Sequence, residues 1–150
     1  MFCFLFQVLL FFLSSCGYQP VYLNKNLKNI EYSKIKLNGD ESINKIIINA
    51  LPISVNDNNE KKNQLNLSSL YKIEPASKNS KGQVLSFKSM IEVNLEVRNI
   101  NNEIVQNKNF VKQFIYNNKQ NNFELVDYQN SIKDDLIDII INEIIIYLVS

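Results

Sequence analysis

From Phe87 to Arg98 the chain alternates without a break. Phe87, Ser89, Ile91, Val93, Leu95 and Val97 fall on one side, and Lys88, Met90, Glu92, Asn94, Glu96 and Arg98 on the other. Only an extended strand, whose successive side chains point to opposite faces, sorts these residues into an apolar and a polar set. Asn99-Ile100-Asn101-Asn102 then reads as a hairpin turn, and Ile104 to Tyr116 as the return strand. The return strand is apolar on both sides: Phe110, Phe114 and Tyr116 on one, Val111 and Ile115 on the other. A sheet with one solvated face should alternate cleanly. The mixed pattern predicts that the second face of the hairpin is covered too, by a partner or by lipid chains, or in part by the long loops.

The flanking segments must supply a layer for the apolar face. Ile30 to Leu37 is strand-like, and Asn38-Gly39 turns the chain. Asp40 is placed to accept the free N–H groups of a helix start. Ile43, Ile46, Ile47, Ala50 and Leu51 then fall on one helical face, ended by Pro52. Their β-branched side chains disfavour a helix slightly, so packing must hold it. Asn56 to Gln64 is polar, a loop or hairpin tip. Leu65 to Ile73 alternates as a half-buried strand, and Pro75 to Gly82 reads as a turn. After a polar turn over Asn117 to Asn122, the spacing predicts a last helix from Tyr128 to Val149. Its Asp134, Asp135 and Asp138 are assigned to the half near the positive end of the helix dipole. Its narrow polar stripe, with Ile and Leu over most of the girth, predicts burial on more than one side. The order β-α-β-β-β-α fits an α+β two-layer sandwich, a mixed sheet of about four strands with both helices on one face.

The N-terminus carries a different signal. Phe2 to Leu13 is apolar apart from Gln7, and Ser14-Ser15-Cys16 follows. The run is too short for a bilayer span, which needs about 20 residues. It has the form of a secretory signal closed by small residues, although its n-region has no Lys or Arg. Leu13-Ser14-Ser15-Cys16 resembles the bacterial lipobox. That resemblance implies cleavage between Ser15 and Cys16 and a lipid, of the palmitate type, on Cys16. Residues 1–15 would then be a signal peptide, 16–29 a lipidated tether and 30–150 a single α+β domain. Gly17 is not the Asp that retains enterobacterial lipoproteins in the inner membrane, which favours the outer membrane, periplasmic side.

The residue inventory excludes much chemistry. The 150 residues contain no His and two Cys. Cys3 lies in the signal and Cys16 is the lipid acceptor, so the domain keeps no thiol. Zinc sites and the Ser/His and Cys/His arrangements are ruled out, and neither an enzyme nor a cofactor is expected. A net charge of +1, with no basic block, argues against nucleic acid.

Cys16-Gly17-Tyr18-Gln19-Pro20-Val21-Tyr22 is similar to the Cys-Gly-aromatic-X-Pro-Leu-Tyr start of the LPS-assembly lipoprotein family (LptE). The element order and the closing helix after Phe123 to Tyr128 extend the resemblance over nearly the whole mature chain. Scarce Arg and Ala depart from the family's usual composition. The resemblance implies a non-enzymatic plug seated in a large outer-membrane β-barrel (LptD-like). Such a plug assists barrel assembly and places lipopolysaccharide at the cell surface. It would account for apolar surface on two sides of the hairpin and most of the way round the helix. Lipopolysaccharide phosphates need cations. Lys88 and Arg98 on one strand face, and Lys108 and Lys112 on the return strand, are the candidate contacts. The competing expectation is an accessory periplasmic lipoprotein of an ABC-type lipid-transport system, with the same anchor and no barrel.

Overall fold

A computed structural model describes residues 29–56 and 62–149. The signal, Cys16 and most of the tether lie outside the described residues. The chain forms β1 (Ile30–Tyr32), β2 (Lys34–Gly39), α1 (Glu41–Ala50), β3 (Ile53–Val55), β4 (Gln64–Lys78), β5 (Val84–Arg98), β6 (Ile104–Asn117) and α2 (Asn122–Val149). The main sheet runs β2-β4-β5-β6, with β2 parallel to β4 and the other pairs antiparallel. β1 and β3 form a separate parallel pair. This is the expected α+β class: a four-stranded mixed sheet and two helices in the expected order.

The long hairpins share a turn design. Asn79 Oδ1 accepts from the N–H groups of Lys81 and Gln83, each at 3.0 Å. Asn99 Oδ1 accepts from Asn101 and Glu103, each at 2.9 Å. The fourth residue of each turn, Gly82 (φ +80°) or Asn102 (φ +63°), is left-handed. Asn at the first position supplies an acceptor that mimics a backbone turn, and Gly and Asn are the residues that tolerate the left-handed one.

Register places Leu65, Leu67, Ser69 and Tyr71 of β4 beside Val97, Leu95, Val93 and Ile91 of β5. The same face continues on β6 through Phe110 and Tyr116. Against it lie Ile43 and Ile47 of α1, and Ile132, Leu136, Ile137, Ile140, Ile141 and Ile144 of α2. Most of this set is fully buried. Each buried aliphatic side chain contributes about 1.5–3 kcal/mol over its exposed state. That is how isoleucine-rich helices of modest intrinsic propensity are held.

The crossover from β2 into α1 is tightly built. Asp40 caps α1, its Oδ1 accepting from Ile43 N–H at 3.0 Å. Leu51 N–H closes the last turn on Ile47 C=O at 3.1 Å, before Pro52. Ser69 C=O on β4 accepts from Asp40 N–H, and Ser69 Oγ donates to Asp40 C=O, both at 3.1 Å. Gly39 (φ +84°) passes so near Ser69 that a Cβ would lie 1.9 Å from its carbonyl oxygen.

Several expected boundaries move. The first strand is two pieces, broken at Ser33, whose N–H turns to Asn63 C=O at 2.9 Å. The halves pair with different partners, a choice made by distant residues. β3 carries no signal of its own in the sequence, because three residues after a proline show no period. Pro75 to Lys78 belongs to β4, with register shifts at Ser77 that absorb the proline. The turn begins only at Asn79. α2 starts at Asn122, not Tyr128, because Asn121 caps it: its Oδ1 accepts from Phe123 N–H at 2.9 Å. Phe123 to Tyr128 is therefore helix, and Glu124 is the acid in the first turn. Asp134, Asp135 and Asp138 stand mid-helix, beyond the first turn where the dipole acts.

Candidate functional interface

Both helices lie over one face of the sheet, and no described element covers the other. The open face is polar toward the Asn99 turn. There Asn66 Nδ2 donates to Glu96 Oε1, Asn94 Nδ2 to Asn107 Oδ1 and Asn109 Nδ2 to Glu92 Oε1, each at 2.9 Å. Farther along β6 it turns apolar, with Val111 47% and Ile115 59% exposed. The loops among the described residues do not cover this part, so that expectation is not met there. Around the β6 edge, Phe114 is 47% exposed on the helix side. On α2, Ile139 and Ile146 are 45% and 47% exposed, one stripe at i and i+7. α2 is thus buried against the sheet and α1, with a second apolar stripe left open beside Glu143. An apolar band wrapping a strand edge is the kind of surface that marks an interaction site.

The four cations singled out by sequence do not meet. Lys88 and Arg98 share the open face but stand about ten residues, roughly 33 Å, apart along β5. Lys88 Nζ pairs with Glu74 at 3.1 Å. Arg98 Nε pairs with Glu96 Oε1 at 2.6 Å, and its Nη1 donates to Asn102 C=O at 3.0 Å. Lys108 and Lys112 lie on the opposite, helix-bearing face, in register with Leu95 and Ile91. Lys112 Nζ meets Glu143 of α2 at 2.5 Å. Lys108 has no ion pair among the described residues. Two cations that sequence reading passed over sit on aromatic rings: Lys119 4.5 Å from the Tyr128 centroid, and Lys133 5.3 Å from that of Tyr71. Their signal, a Lys near Tyr in space, has no fixed spacing in sequence.

The Arg98 guanidinium and the Asn66 amide hold the Glu96 carboxyl below the usual carboxylate range. A depressed folded pKa adds stability above the unfolded pKa, near pH 4.5, and loses it as pH falls through the folded value. Glu96→Gln is therefore expected to make the acid limb of a stability–pH curve shallower, measured by urea unfolding between pH 3 and 7. An acid limb as steep as in the wild type would show that the pair contributes nothing.

Behind the interface the sandwich closes on aromatic rings. Phe87 and Tyr116 stack at 6.0 Å, and Tyr116 meets Tyr128 edge-on at 5.7 Å. The buried Ser89 Oγ lies 3.3 Å from Tyr116 Oη and 3.4 Å from Tyr71 Oη. Burial pushes the Tyr71 hydroxyl up. These hydroxyls satisfy one another, with no nucleophile–base pair between them. The cleft lined by Tyr32, Lys62, Val97, Val105 and Leu148 is open, and its lysine is paired with Glu31. Among the described residues no group of His, Cys, Asp or Glu is placed to hold a metal, and no helix is long and apolar enough to cross a membrane.

No protein-family model and no curated protein matches the sequence. Solved structures do. Rare lipoprotein B from Shewanella oneidensis aligns with TM-score 0.59 at 13% identity, over 77% of this chain and 93% of that one. An uncharacterized lipoprotein B from Nitrosomonas europaea aligns with TM-score 0.56 at 10% identity, over 85% and 88%. A minor lipoprotein from Acinetobacter baumannii aligns with TM-score 0.50 at 14% identity, over 77% and 94%. At these identities the likeness is one of fold: the chain has the fold found in these bacterial lipoproteins.

Proposed function

We propose that the protein is a lipid-anchored, non-enzymatic component of lipopolysaccharide assembly in the outer membrane, held on its periplasmic side by Cys16. In this reading it partners a large β-barrel (LptD-like), assists its assembly and helps deliver lipopolysaccharide. The carrying observation is the apolar band over β6 and α2, on a fold shared with bacterial lipoproteins. A domain that exposes Val111, Phe114, Ile115, Ile139 and Ile146 together has surface to cover. A barrel wall would meet it on more than one side. Lys108, without an ion pair among the described residues, is the first of the four cations to assign to lipopolysaccharide phosphate. Lys88, Arg98 and Lys112 would each have to leave a carboxylate first.

The test is affinity capture of the lipidated protein from outer membranes in mild detergent, with depletion in parallel. A large β-barrel is expected to co-purify in about equal amount, and surface lipopolysaccharide to fall on depletion. Co-purification of an inner-membrane permease with unchanged surface lipid would instead favour the ABC-type accessory role.

A further inference from the structure

The apolar band surrounds an open strand edge. β6 is the terminal strand of the sheet, 14 residues long, and no described element pairs with its far side. The side on which its backbone bonds point follows from one contact. Asn118 N–H donates to Leu85 C=O at 2.8 Å, in the register that sets Asn117 against Ser86. Antiparallel ladders alternate, so Tyr116, Phe114, Lys112, Phe110 and Lys108 bond to β5. Asn107, Asn109, Val111, Gln113 and Ile115 turn their N–H and C=O groups outward. The β5–β6 register has its irregularity only at Val97/Arg98, leaving the rest regular. β6 has no proline and runs 14 residues, whereas the opposite edge, β2, is only 6 residues long. Long, flat edges with apolar flanks accept strands, which is why most are blunted.

We propose that the outward edge of β6 binds an extended segment of a partner protein as an added strand, and that this segment is apolar and carries carboxylate. The apolar requirement comes from Val111 and Ile115 on one side of the edge and Phe114 on the other. The charge requirement comes from β6 itself, which has two Lys and no Asp or Glu. Lys112 is already neutralised by Glu143, while Lys108 is not. A carboxylate opposite or diagonal to Lys108 completes the edge. A second copy of this chain does not fit, since pairing β6 with itself adds two further Lys and no acid. This deepens the barrel-partner reading by naming the contact, with main-chain bonds giving affinity and alternate side chains giving selectivity.

The test uses the full mature chain and a ten-residue peptide of alternating Val and Thr, with two Thr replaced by Glu. A twin peptide carries Lys at those positions. Amide exchange by NMR is expected to show new protection at residues 107, 109, 111, 113 and 115, while 108, 110, 112 and 114, already bonded to β5, change little. The Lys twin is expected to bind about fivefold more weakly at low salt. Gln113→Pro, which removes one outward N–H, should lose most binding, and Lys108→Glu should reverse the preference between the peptides. No protection at up to millimolar peptide, equal binding of the twins, or a dimer with these amides protected before peptide is added would overturn the proposal. Capture from membranes separates this from the broader reading. A barrel retained by Gln113→Pro, with no peptide bound by the wild type, removes the edge contact and leaves the barrel partner. Peptide binding with no barrel captured does the reverse.

Discussion

Gly39→Ala is expected to destabilise the fold by about 3 kcal/mol or more, the sum of a left-handed backbone penalty of roughly 1–2 kcal/mol and a forced displacement of β2 from β4. The added methyl would meet backbone, the Ser69 carbonyl oxygen at 1.9 Å, which cannot rotate away as a side chain can. Moving it breaks the Asp40 N–H bond to the same oxygen and the Ser69 Oγ bond to Asp40 C=O. It also disturbs Asn44, buried on α1, whose Nδ2 donates to Asn38 C=O at 2.7 Å. Urea unfolding followed by circular dichroism measures the loss. A change under 1 kcal/mol would mean that the chain relaxes around position 39 and that the close β2–β4 approach is not required. Gly82 is also left-handed, but a Cβ there would meet nothing within 4 Å, so Gly82→Ala is the milder control.

Ile140→Ala should cost about 2–5 kcal/mol, and Ile146→Ala about 1 kcal/mol or less. The two stand six residues apart on α2 and carry the same side chain. Ile140 is fully buried over the sheet, whereas Ile146 is 47% exposed on the open stripe. Truncating Ile140 leaves a cavity between two rigid layers that cannot collapse onto it. Truncating Ile146 removes a group that the domain covers only by about half. The expected inversion is functional: Ile146→Ala, and more strongly Ile146→Asp, should weaken capture of the proposed barrel partner while changing the melting temperature far less than Ile140→Ala. Equal stability losses at both positions would mean that the stripe is covered within the chain and offers no surface to a partner.

Part of the candidate interface is legible in the sequence. The alternation of Phe87 to Arg98 and the two-sided apolarity of β6 follow from parity alone. Parity also places Lys108 and Lys112 with Phe110 and Tyr116, on the helix-bearing face. That signal was available, and it separates them from Lys88 and Arg98. What parity could not supply was the partner of each charge. Glu143 reaches Lys112 from an element 31 positions along the chain, and only the packing of α2 on β6 brings them together.

Local chemistry determines the hairpins, their Asn-based turns, the Asp40 cap, the stop at Pro52 and the broad apolar girth of α2, because each rests on neighbours within a few residues. The tertiary structure decides what depends on distant pairing. It splits the first strand between β3 and β4, recruits Ile53–Val55, starts α2 at Asn122 and leaves β6 at an edge. The physical reason is that a strand's hydrogen-bonding groups are satisfied by whichever chain lies alongside, and nothing in a strand's own residues names that chain. The open edge of β6, and with it the surface proposed for a partner, is a property of the assembled sheet.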